Sequence, residues 1–464
     1  MGWKTPFVIL VLALACGYFI SRLLSPSLLT EPPDAGSGWW GRGLPEVAGK
    51  EQYTSVRPFR VNVSDKVLAD LKERLKKTRF VDRLEDSAFH YGFNSDFMKQ
   101  VQRYWLEKYS WRDAEKTLNQ YDQFLTNIEG IDVHFLHVKP KLKPGQKAKP
   151  LIIVHGWPGS VFEFYKMLPM LTDPLSHGGT ADDIFEVICP SIPGYGFSEA
   201  PHKQGFSASE AGRVFHKLMG RLGFKKYYVQ GGDWGGLITR NMAIMFPDHV
   251  KGIHNNMATL SNFKGLIYPI VAGFWPSLLM PKKEDQDRFL PFSSLFFFAL
   301  QESGYMHIQA TKPDTAGQGV NDSPVGLAAY IMEKFSTWTN KEWQDLPDGG
   351  LTKVWTLDEV LTNVMIYWVN GNIASSMRLY KEELGGSSKK YEYSYANMVP
   401  YAYADFPHDL AHAPEWALRE ANPNLVSYTI MPRGGHFAAF EEPRLLADDI
   451  RQFVRKVEAL KSDK

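Results

Sequence analysis

The sequence predicts an α/β fold with a mostly parallel central sheet, which a helical insertion interrupts. Short apolar runs end in turns rich in glycine and proline, and stretches with helical spacing separate them. This pattern is typical of a parallel sheet that is covered on both faces. The same design returns near the C-terminus after a long interval. The runs are "PLIIVHGWPGS" (residues 150–160), "FEVICPSIPGYGFS" (185–198), "YYVQGGDWGG" (227–236) and "LVSYTIMPRGGHFAAFEEP" (425–443).

The first element along the chain is an apolar segment at the N-terminus. After Lys4 the chain carries no charge as far as Ile20, and Leu23 and Leu24 bring the segment close to the ~20 residues that span a bilayer. A secretory signal peptide is the alternative, but it should end in a small-residue cleavage site, and "ISRLLSP" is a poor one. The sequence therefore predicts a single-pass membrane anchor over residues 1–24.

The next two segments lead from this anchor to the sheet. Residues 25–49 are rich in proline and glycine and form the predicted linker. Residues 50–149 are predicted to pack on the core. Within them, Ser64 is the predicted N-cap of a helix whose apolar residues recur at helical spacing as far as Leu75. Alternating residues on both sides of Glu129-Gly130 predict a β-hairpin.

The predicted core has two parts, residues 150–258 and 396–464, with a helical lid over residues 259–395 between them. Two apolar stretches of the lid, "LIYPIVAGFWPSLLMP" and "FLPFSSLFFFAL", are too short or too interrupted by proline to span a membrane. A lid with an apolar underside explains them better than contact with a bilayer surface.

Composition excludes some classes of function. The 464 residues include 52 Lys and Arg against 51 Asp and Glu, so nothing indicates a polyanionic partner such as a nucleic acid. The two cysteines, Cys16 and Cys189, lie far apart in apolar runs. A disulfide framework is therefore not indicated, and a reducing compartment suits the chain.

The turn in "KKYYVQGGDWGGLITRN" has the pattern of a nucleophile elbow, in which a tight turn between a strand and a helix exposes one side chain. The usual form carries serine, whereas Asp233 stands at the tip here. An Asp in this place is otherwise a helix N-cap, and a lone His436 after Gly-Gly is otherwise a turn residue. Together, Asp233, a later acid and His436 follow the order of an α/β-hydrolase triad.

These motifs also carry a resemblance to a family. "GWWG", "HGWPGS", "GGDWGG", "ESGYMHIQATKPDT" and "RGGHFAAFEEP" occur in an order that resembles the epoxide hydrolases of the α/β-hydrolase fold, and most closely their microsomal branch. The resemblance covers nearly the whole chain. It implies an α/β-hydrolase fold with a helical lid and an enzyme that converts epoxides and water into vicinal diols.

The chemistry of epoxides explains an acid at the elbow. An alkoxide that attacks an epoxide carbon leaves an ether, whereas a carboxylate leaves an ester that water can cleave. A carboxylate also needs no base to deprotonate it near neutral pH. The resemblance implies that Asp233 attacks the epoxide and that His436 removes a proton from the hydrolytic water. It further implies that the backbone N–H groups of Trp157 and Trp234 hold the oxyanion.

Three further residues are assigned by the resemblance. Tyr305 in "ESGYMHI" and Tyr380 in "SSMRLYKEEL" match lid tyrosines that donate to the epoxide oxygen. The acid that orients the histidine is usually Glu in the microsomal enzymes, but "DFPHDLAHAPEW" places Asp409 there. Asp405 and Glu415 lie nearby and remain alternatives for that role.

No metal or cofactor is expected. His408 and His412 stand four residues apart with an acid after the first, much like a zinc-binding motif. However, Pro407 and Pro414 confine this stretch, and the Glu base of that motif is missing.

Two other functions are compatible with the sequence. A haloalkane dehalogenase shares the fold and the aspartate nucleophile, and a catalytically dead, membrane-tethered binding protein is a second alternative. The absence of serine at the elbow disfavours an esterase. The resemblance implies lipophilic xenobiotic and lipid epoxides as substrates and the endoplasmic reticulum membrane as the location, with the catalytic body in the cytosol. Because Lys4 and Arg22 nearly balance, the charges give no firm orientation. The sequence does not indicate an oligomeric state.

Overall fold

The computed structural model describes residues 28–36, 38, 40, 54–257, 280, 283–289, 291–386 and 391–462. The predicted anchor, much of the predicted linker and all of "LIYPIVAGFWPSLLMP" except Met280 lie outside these residues. Among the helices of the described ranges, none combines the length and the apolar character needed to cross a membrane.

The described strands form one mixed sheet whose larger part is parallel. The spatial order is β1-β2-β3-β5-β4-β6-β7-β8-β9. In this spatial order, the strand pairs from β1 as far as β5 are antiparallel, and the pairs from β5 as far as β9 are parallel. This confirms the predicted α/β class. The strands are β1 (Arg57–Phe59), β2 (Gln123–Ile128), β3 (Ile131–Val138), β4 (Lys149–Val154), β5 (Phe185–Pro190), β6 (Tyr227–Gly231), β7 (Val250–Asn255), β8 (Tyr401–Asp405) and β9 (Leu425–Ile430).

Helices surround the sheet, and a series of them lies between β7 and β8. The helices before β7 are α1 (Asp65–Lys76), α2 (Ser95–Glu107), α3 (Trp111–Leu118), α4 (Leu168–Thr172), α5 (Ala208–Arg221) and α6 (Asp233–Met245). Those between β7 and β8 are α7 (Lys283–Phe289), α8 (Phe292–Glu302), α9 (Gly304–Thr311), α10 (Pro313–Asp322), α11 (Pro324–Thr337), α12 (Leu357–Asn370), α13 (Ile373–Leu384) and α14 (Tyr391–Ser394). Those after β8 are α15 (Glu415–Ala421), α16 (Ala438–Glu441) and α17 (Pro443–Ser462).

Two local predictions are confirmed. The strands β2 and β3 pair through a two-residue turn in which Glu129 and Gly130 have φ of 54° and 81°. Positive φ at both central residues is typical of the hairpin turn whose twist matches the flanking strands. Helix α1 begins after Ser64, although the Ser64 side chain forms no capping hydrogen bond.

The segment before β4 joins the core through buried contacts. Val101, Trp105 and Leu118 are among its fully or nearly fully buried apolar residues, and they belong to the same cluster as the sheet. The hydroxyl of Tyr165, which follows β4 in the chain, donates to the Leu118 carbonyl at 2.7 Å. Strands β1 and β2 also extend the sheet itself. The N-terminal segment and the sheet therefore share one hydrophobic core.

Candidate active site

The turn between β6 and α6 is built by glycine. A Cβ on Gly231 would lie 2.3 Å from the Gly235 carbonyl carbon, and a Cβ on Gly235 would lie 1.9 Å from the Val154 carbonyl oxygen. Both distances are far inside van der Waals contact, so no side chain fits at either position. The glycines let α6 start directly against β4, and Asp233 is left as the side chain at the tip.

Asp233 itself has an unusual backbone. Its φ is +51°, in the left-handed region, although it is not a glycine. This conformation costs an L-residue about 1–2 kcal/mol, and such strain is concentrated at functional sites. The turn thereby directs the carboxylate toward the loop after β4. There the Trp157 backbone N–H donates to Asp233 Oδ1 at 2.8 Å, and the Trp234 N–H also bonds the carboxylate.

The structure brings Asp233, His436 and Asp409 together. His436 Nδ1 lies 2.7 Å from Asp409 Oδ1, and His436 Nε2 lies 3.6 Å from Asp233 Oδ2. The side chains of His436 and Asp409 are almost fully buried, whereas 14% of the Asp233 side chain is exposed. Each imidazole nitrogen thus faces a different carboxylate, and Asp233 is the carboxylate that a ligand can reach.

Asp409 reaches His436 although its side chain is one methylene shorter than glutamate. The backbone explains this, because the His408 N–H donates to the Gly434 carbonyl at 3.1 Å and residue 408 pairs with Gly435. The two loops therefore lie side by side at this point. Asp409 Oδ1 also accepts from the Leu410 N–H at 2.6 Å, which fixes the carboxylate.

The two alternative acids lie elsewhere. Asp405 Oδ1 is 2.6 Å from His412 Nδ1, and Asp405 Oδ2 accepts from Arg288. Glu415 stands at the start of α15 and forms an ion pair with Arg419 at 2.7 Å. Neither acid forms a contact with the imidazole of His436 among the described contacts, whereas Asp409 bonds it directly. His412, the second histidine of the stretch that resembles a zinc-binding motif, therefore pairs with Asp405.

Electrostatics favour an ion pair in the resting site. Burial opposes the charged form of His436, but nearby carboxylates outweigh this effect and raise the pKa of His436 to about 9. Asp409 is the strongest of them, and Asp233 is the next. Burial also raises the pKa of Asp233 above its ordinary value, while the positive charge of His436 and the two backbone N–H groups oppose that rise.

Two tyrosines face this carboxylate from the helices between β7 and β8. Tyr305 in α9 stacks on the Trp157 indole with ring centroids 5.0 Å apart, and Tyr380 in α13 packs edge-on against the Trp234 indole at 4.6 Å. The two phenol rings are 5.8 Å apart. Burial raises the pKa of both hydroxyls, and the charge of Asp233 raises it further.

The hydroxyl of Tyr380 is buried in the site. It lies near that of Tyr305, yet the geometry between them falls short of a hydrogen bond. Among the described residues, the buried Tyr380 oxygen has no hydrogen-bond partner. A buried donor without a partner is costly, which makes this hydroxyl suited to an oxygen atom of a ligand.

The loop that follows β4 is fixed from behind by α12. Ser160 donates to Asn363 Oδ1 at 2.8 Å, Asn363 Nδ2 donates to the Pro158 carbonyl at 2.8 Å, and the Tyr367 hydroxyl donates to the Gly159 carbonyl at 2.7 Å. All of these partners are buried. The Trp157 N–H is therefore held in place before any ligand binds.

One acidic residue of the site was not predicted. Glu163 lies in the short 3-10 helix Val161–Phe164 and lines the same small cavity as Asp233 and His436. In sequence, Ser160 and Glu163 have the spacing of a capping box. In the structure, Ser160 accepts from the Phe162 N–H, but the reciprocal bond from Glu163 that completes a capping box is not formed. The spacing of Ser160 and Glu163 therefore does not indicate that Glu163 belongs to the site.

The sheet order and the glycine turn after its central strand β6 define an α/β-hydrolase-fold protein. A family model described as "alpha/beta hydrolase fold" matches residues 149–394, and one described as "Epoxide hydrolase N terminus" matches residues 56–164. The second match covers the segment that precedes and enters the core.

Relatives extend this likeness to nearly the full length. "Epoxide hydrolase 1" of Sus scrofa is 49% identical over 466 residues, which cover 98% of this chain and 99% of the relative. "Epoxide hydrolase 1" of Oryctolagus cuniculus is 50% identical over 451 residues, which cover 97% and 98%. The chain belongs to the epoxide hydrolase family.

Solved structures agree with this assignment. The crystal structure of juvenile hormone epoxide hydrolase from the silkworm Bombyx mori has a TM-score of 0.86 at 42% identity, over 92% of this chain and 100% of that chain. The structure of Aspergillus niger epoxide hydrolase has a TM-score of 0.72 at 30% identity, over 88% of this chain and 98% of that chain. The predicted epoxide hydrolase family is thereby confirmed.

Proposed function

We propose that this protein converts lipophilic epoxides and water into vicinal diols through an ester on Asp233. The observation that carries the proposal is the orientation of its carboxylate. Oδ1 already accepts from the Trp157 N–H at 2.8 Å, while Oδ2 faces His436 at 3.6 Å. One oxygen is held by a backbone donor, and the other is directed at the space beside the base.

In the first step, Asp233 Oδ2 attacks an epoxide carbon. The new bond joins Oδ2 to that carbon, and the bond from this carbon to the epoxide oxygen breaks. Its electron pair stays on the oxygen, which receives a hydrogen bond or a proton from Tyr305 or Tyr380. Their raised pKa values keep both phenols neutral at physiological pH, so both enter the reaction as donors.

In the second step, water attacks Cγ of the ester while His436 Nε2 takes one of its protons. The carbonyl electron pair moves onto Oδ1, where the N–H groups of Trp157 and Trp234 stabilise the oxyanion. When the carbonyl forms again, the bond from Cγ to the alkyl oxygen breaks. The departing diol oxygen takes a proton from the imidazolium. Asp233 is left as a carboxylic acid, and its proton replaces the one that the epoxide oxygen received in the first step, so the carboxylate and the phenol are both restored.

Formation of the ester removes a negative charge beside His436. In the resting site, the negative charge of Asp233 helps to raise the pKa of His436 to about 9. Alkylation removes that charge, so the pKa of His436 falls in the intermediate. The imidazole therefore releases its proton more readily when a neutral base is needed.

Asp409→Asn is expected to slow ester hydrolysis by about 10²- to 10⁴-fold, as the loss of charge does in an Asp-His pair of this kind. Loss of the Asp409 charge also lowers the pKa of His436 from about 9. Ester formation does not need His436 as a base and should change much less. Quenched-flow mass spectrometry at several pH values separates the two rates.

The matched control for this variant is Glu415→Gln, because Glu415 pairs with Arg419 on the surface instead of with His436. It should leave both rates near those of the wild type. Unchanged rates in Asp409→Asn would instead remove Asp409 from the proposed role.

Substrate and location are proposed on the same basis. The donors lie among aromatic rings, Trp157, Trp234, Tyr305, Tyr380 and Trp338, which favour an apolar epoxide. We place the enzyme on the endoplasmic reticulum membrane, with a role in the detoxification of xenobiotic epoxides and in lipid epoxide metabolism. The apolar N-terminal segment of the sequence and the likeness to epoxide hydrolase 1 support this placement.

Turnover of styrene oxide by the purified full chain tests the activity, and the tyrosines provide its internal check. Tyr305→Phe and Tyr380→Phe should each slow ester formation by about 10- to 100-fold, and the double variant by about 1,000-fold or more, because donors to the developing alkoxide are lost. Ester hydrolysis should change little in the single variants. Diol release and rapid-quench mass spectrometry measure the two steps.

Tyr195→Phe is the matched control, because Tyr195 is fully buried and its hydroxyl donates to the Ser376 carbonyl at 2.9 Å. It should keep the wild-type rate of ester formation. A wild-type protein that binds styrene oxide without forming diol would contradict the proposed activity. Release of bromide from a bromoalkane at a higher rate than diol formation would favour a dehalogenase.

A further inference from the structure

A small cavity is lined by both Asp233 and His436, the ester-forming residue and the base of the proposed reaction. The space open to the centre of a water molecule is about 20 Å³, which is enough for one water. Asp233, His436 and Glu163 are the ionisable residues in its described lining, and Gln230 and Asn256 add amide groups. The steps above use the first two of these residues and leave Glu163 without a role.

The polar lining offers acceptors to a water molecule. Gln230 Nε2 donates to Asn256 Oδ1 at 2.9 Å, but among the described residues the buried Gln230 Oε1 has no partner. The Glu163 carboxylate lies against the Gly159 backbone, since a Cβ on Gly159 would lie 2.1 Å from Glu163 Oε2. A buried water is stable when it forms two to four hydrogen bonds, and this cavity supplies that number.

We propose that Glu163 positions the hydrolytic water. This inference rests on the proposed function, because it concerns the second step of that reaction. One hydrogen of the water points to His436 Nε2, and Glu163 accepts the other. The water oxygen is thereby aimed at Cγ of Asp233. During attack the first proton moves to His436 and the O–H bond to Glu163 remains intact, so Glu163 neither gains nor loses a proton.

The protonation state of Glu163 suits this role. Burial raises the pKa of Glu163 to about 8, the charge of His436 opposes the rise, and the charge of Asp233 adds to it. The carboxyl group is therefore largely neutral at pH 7, and its carbonyl oxygen remains an acceptor. Two further titratable groups interact electrostatically with Glu163, namely the buried Cys189 thiol and the Tyr367 hydroxyl. Both are neutral at that pH because burial raises their pKa values.

The role of Glu163 separates the two steps of the reaction. Water takes no part in ester formation, so Glu163→Leu should form the ester at a rate within about two-fold of the wild type. Hydrolysis should slow by about 10- to 100-fold, because misplacement of a reacting group by ~1 Å has a cost of that size. Glu163→Gln keeps a carbonyl acceptor at the same place and should restore hydrolysis to within about three-fold of the wild type.

The experiment uses the full chain and styrene oxide, with rapid quenching and intact-protein mass spectrometry to follow ester growth and decay. Thermal melting checks the fold, and Glu163→Met replaces Glu163→Leu if the branched side chain destabilises the loop. Slow hydrolysis with normal ester formation, together with rescue by glutamine, supports the proposal.

Three results would overturn it. In the first, the apolar variants hydrolyse the ester at the wild-type rate. In the second, they slow both steps equally. In the third, the glutamine variant is as slow as the leucine variant. A wild-type protein that forms no ester at all is a different result, because it contradicts the proposed function and not the part played by Glu163 alone.

Discussion

His436→Gln is expected to form the ester on Asp233 and to stop there. In the proposed mechanism, the carboxylate of Asp233 attacks without a base, so the first step survives the substitution. The second step loses the group that takes the proton from water, and general bases of this kind contribute about 10²- to 10⁴-fold. The variant should therefore accumulate the alkyl-enzyme, visible as a mass increase equal to one epoxide per chain.

A second buried histidine supplies the control for this experiment. His254 Nε2 lies 2.9 Å from Asp449 Oδ2, both side chains are buried, and neither belongs to the site. His254→Gln should lower stability but should leave no trapped adduct. If His436→Gln releases diol at the wild-type rate, or never becomes labelled, the proposed role of His436 is wrong.

Asp233→Ala is expected to lose turnover by about 10⁴- to 10⁶-fold, the range seen when a covalent nucleophile is removed. No ester should be detected at any time. A steady-state diol assay combined with intact-mass measurement tests both statements. Because the expected loss is at least about 10⁴-fold, a variant that forms diol within about ten-fold of the wild-type rate would show that another group attacks the epoxide.

Asp233→Gly distinguishes a missing nucleophile from a damaged fold. The backbone at this position has φ of +51°, which glycine adopts without strain and alanine does not. The glycine variant should be equally inactive, yet more stable than the alanine variant by about 1 kcal/mol. Urea unfolding of the two proteins measures this difference.

The sequence was most informative where one residue type is required by packing. The glycines of "GGDWGG" exclude side chains at Gly231 and Gly235, where a Cβ would collide with backbone. The hairpin at Glu129-Gly130 was predicted for a different local reason, because its turn needs positive φ at both residues. Such local constraints leave a direct mark in the sequence, and both predictions are confirmed by the structure.

Contacts between distant segments left a weaker mark. Tyr305 and Tyr380 were singled out only by family motifs, because nothing in their spacing predicts that both rings pack on the indoles of Trp157 and Trp234. The pairing of Asp409 with His436 depends on two loops that lie side by side through residues 408 and 435. Propensity and periodicity do not encode such a juxtaposition.

Glu163 is the clearest example of a residue that sequence reasoning missed. Its spacing from Ser160 resembles a helix cap, and a carboxylate on a short helix is ordinarily a surface residue. Only the tertiary structure places it in the cavity shared with Asp233 and His436. The burial that makes its acidity unusual comes from elements far apart in the chain.

The central claim is that an ester forms on Asp233, and oxygen exchange tests it most directly. A single turnover of styrene oxide in ¹⁸O water, with the enzyme in excess, is followed by mass analysis of the peptide that carries Asp233. The ester mechanism predicts that heavy oxygen enters that carboxylate and that the first diol carries ordinary oxygen. Heavy oxygen in the diol alone would mean that water attacks the epoxide directly, and it would contradict the mechanism.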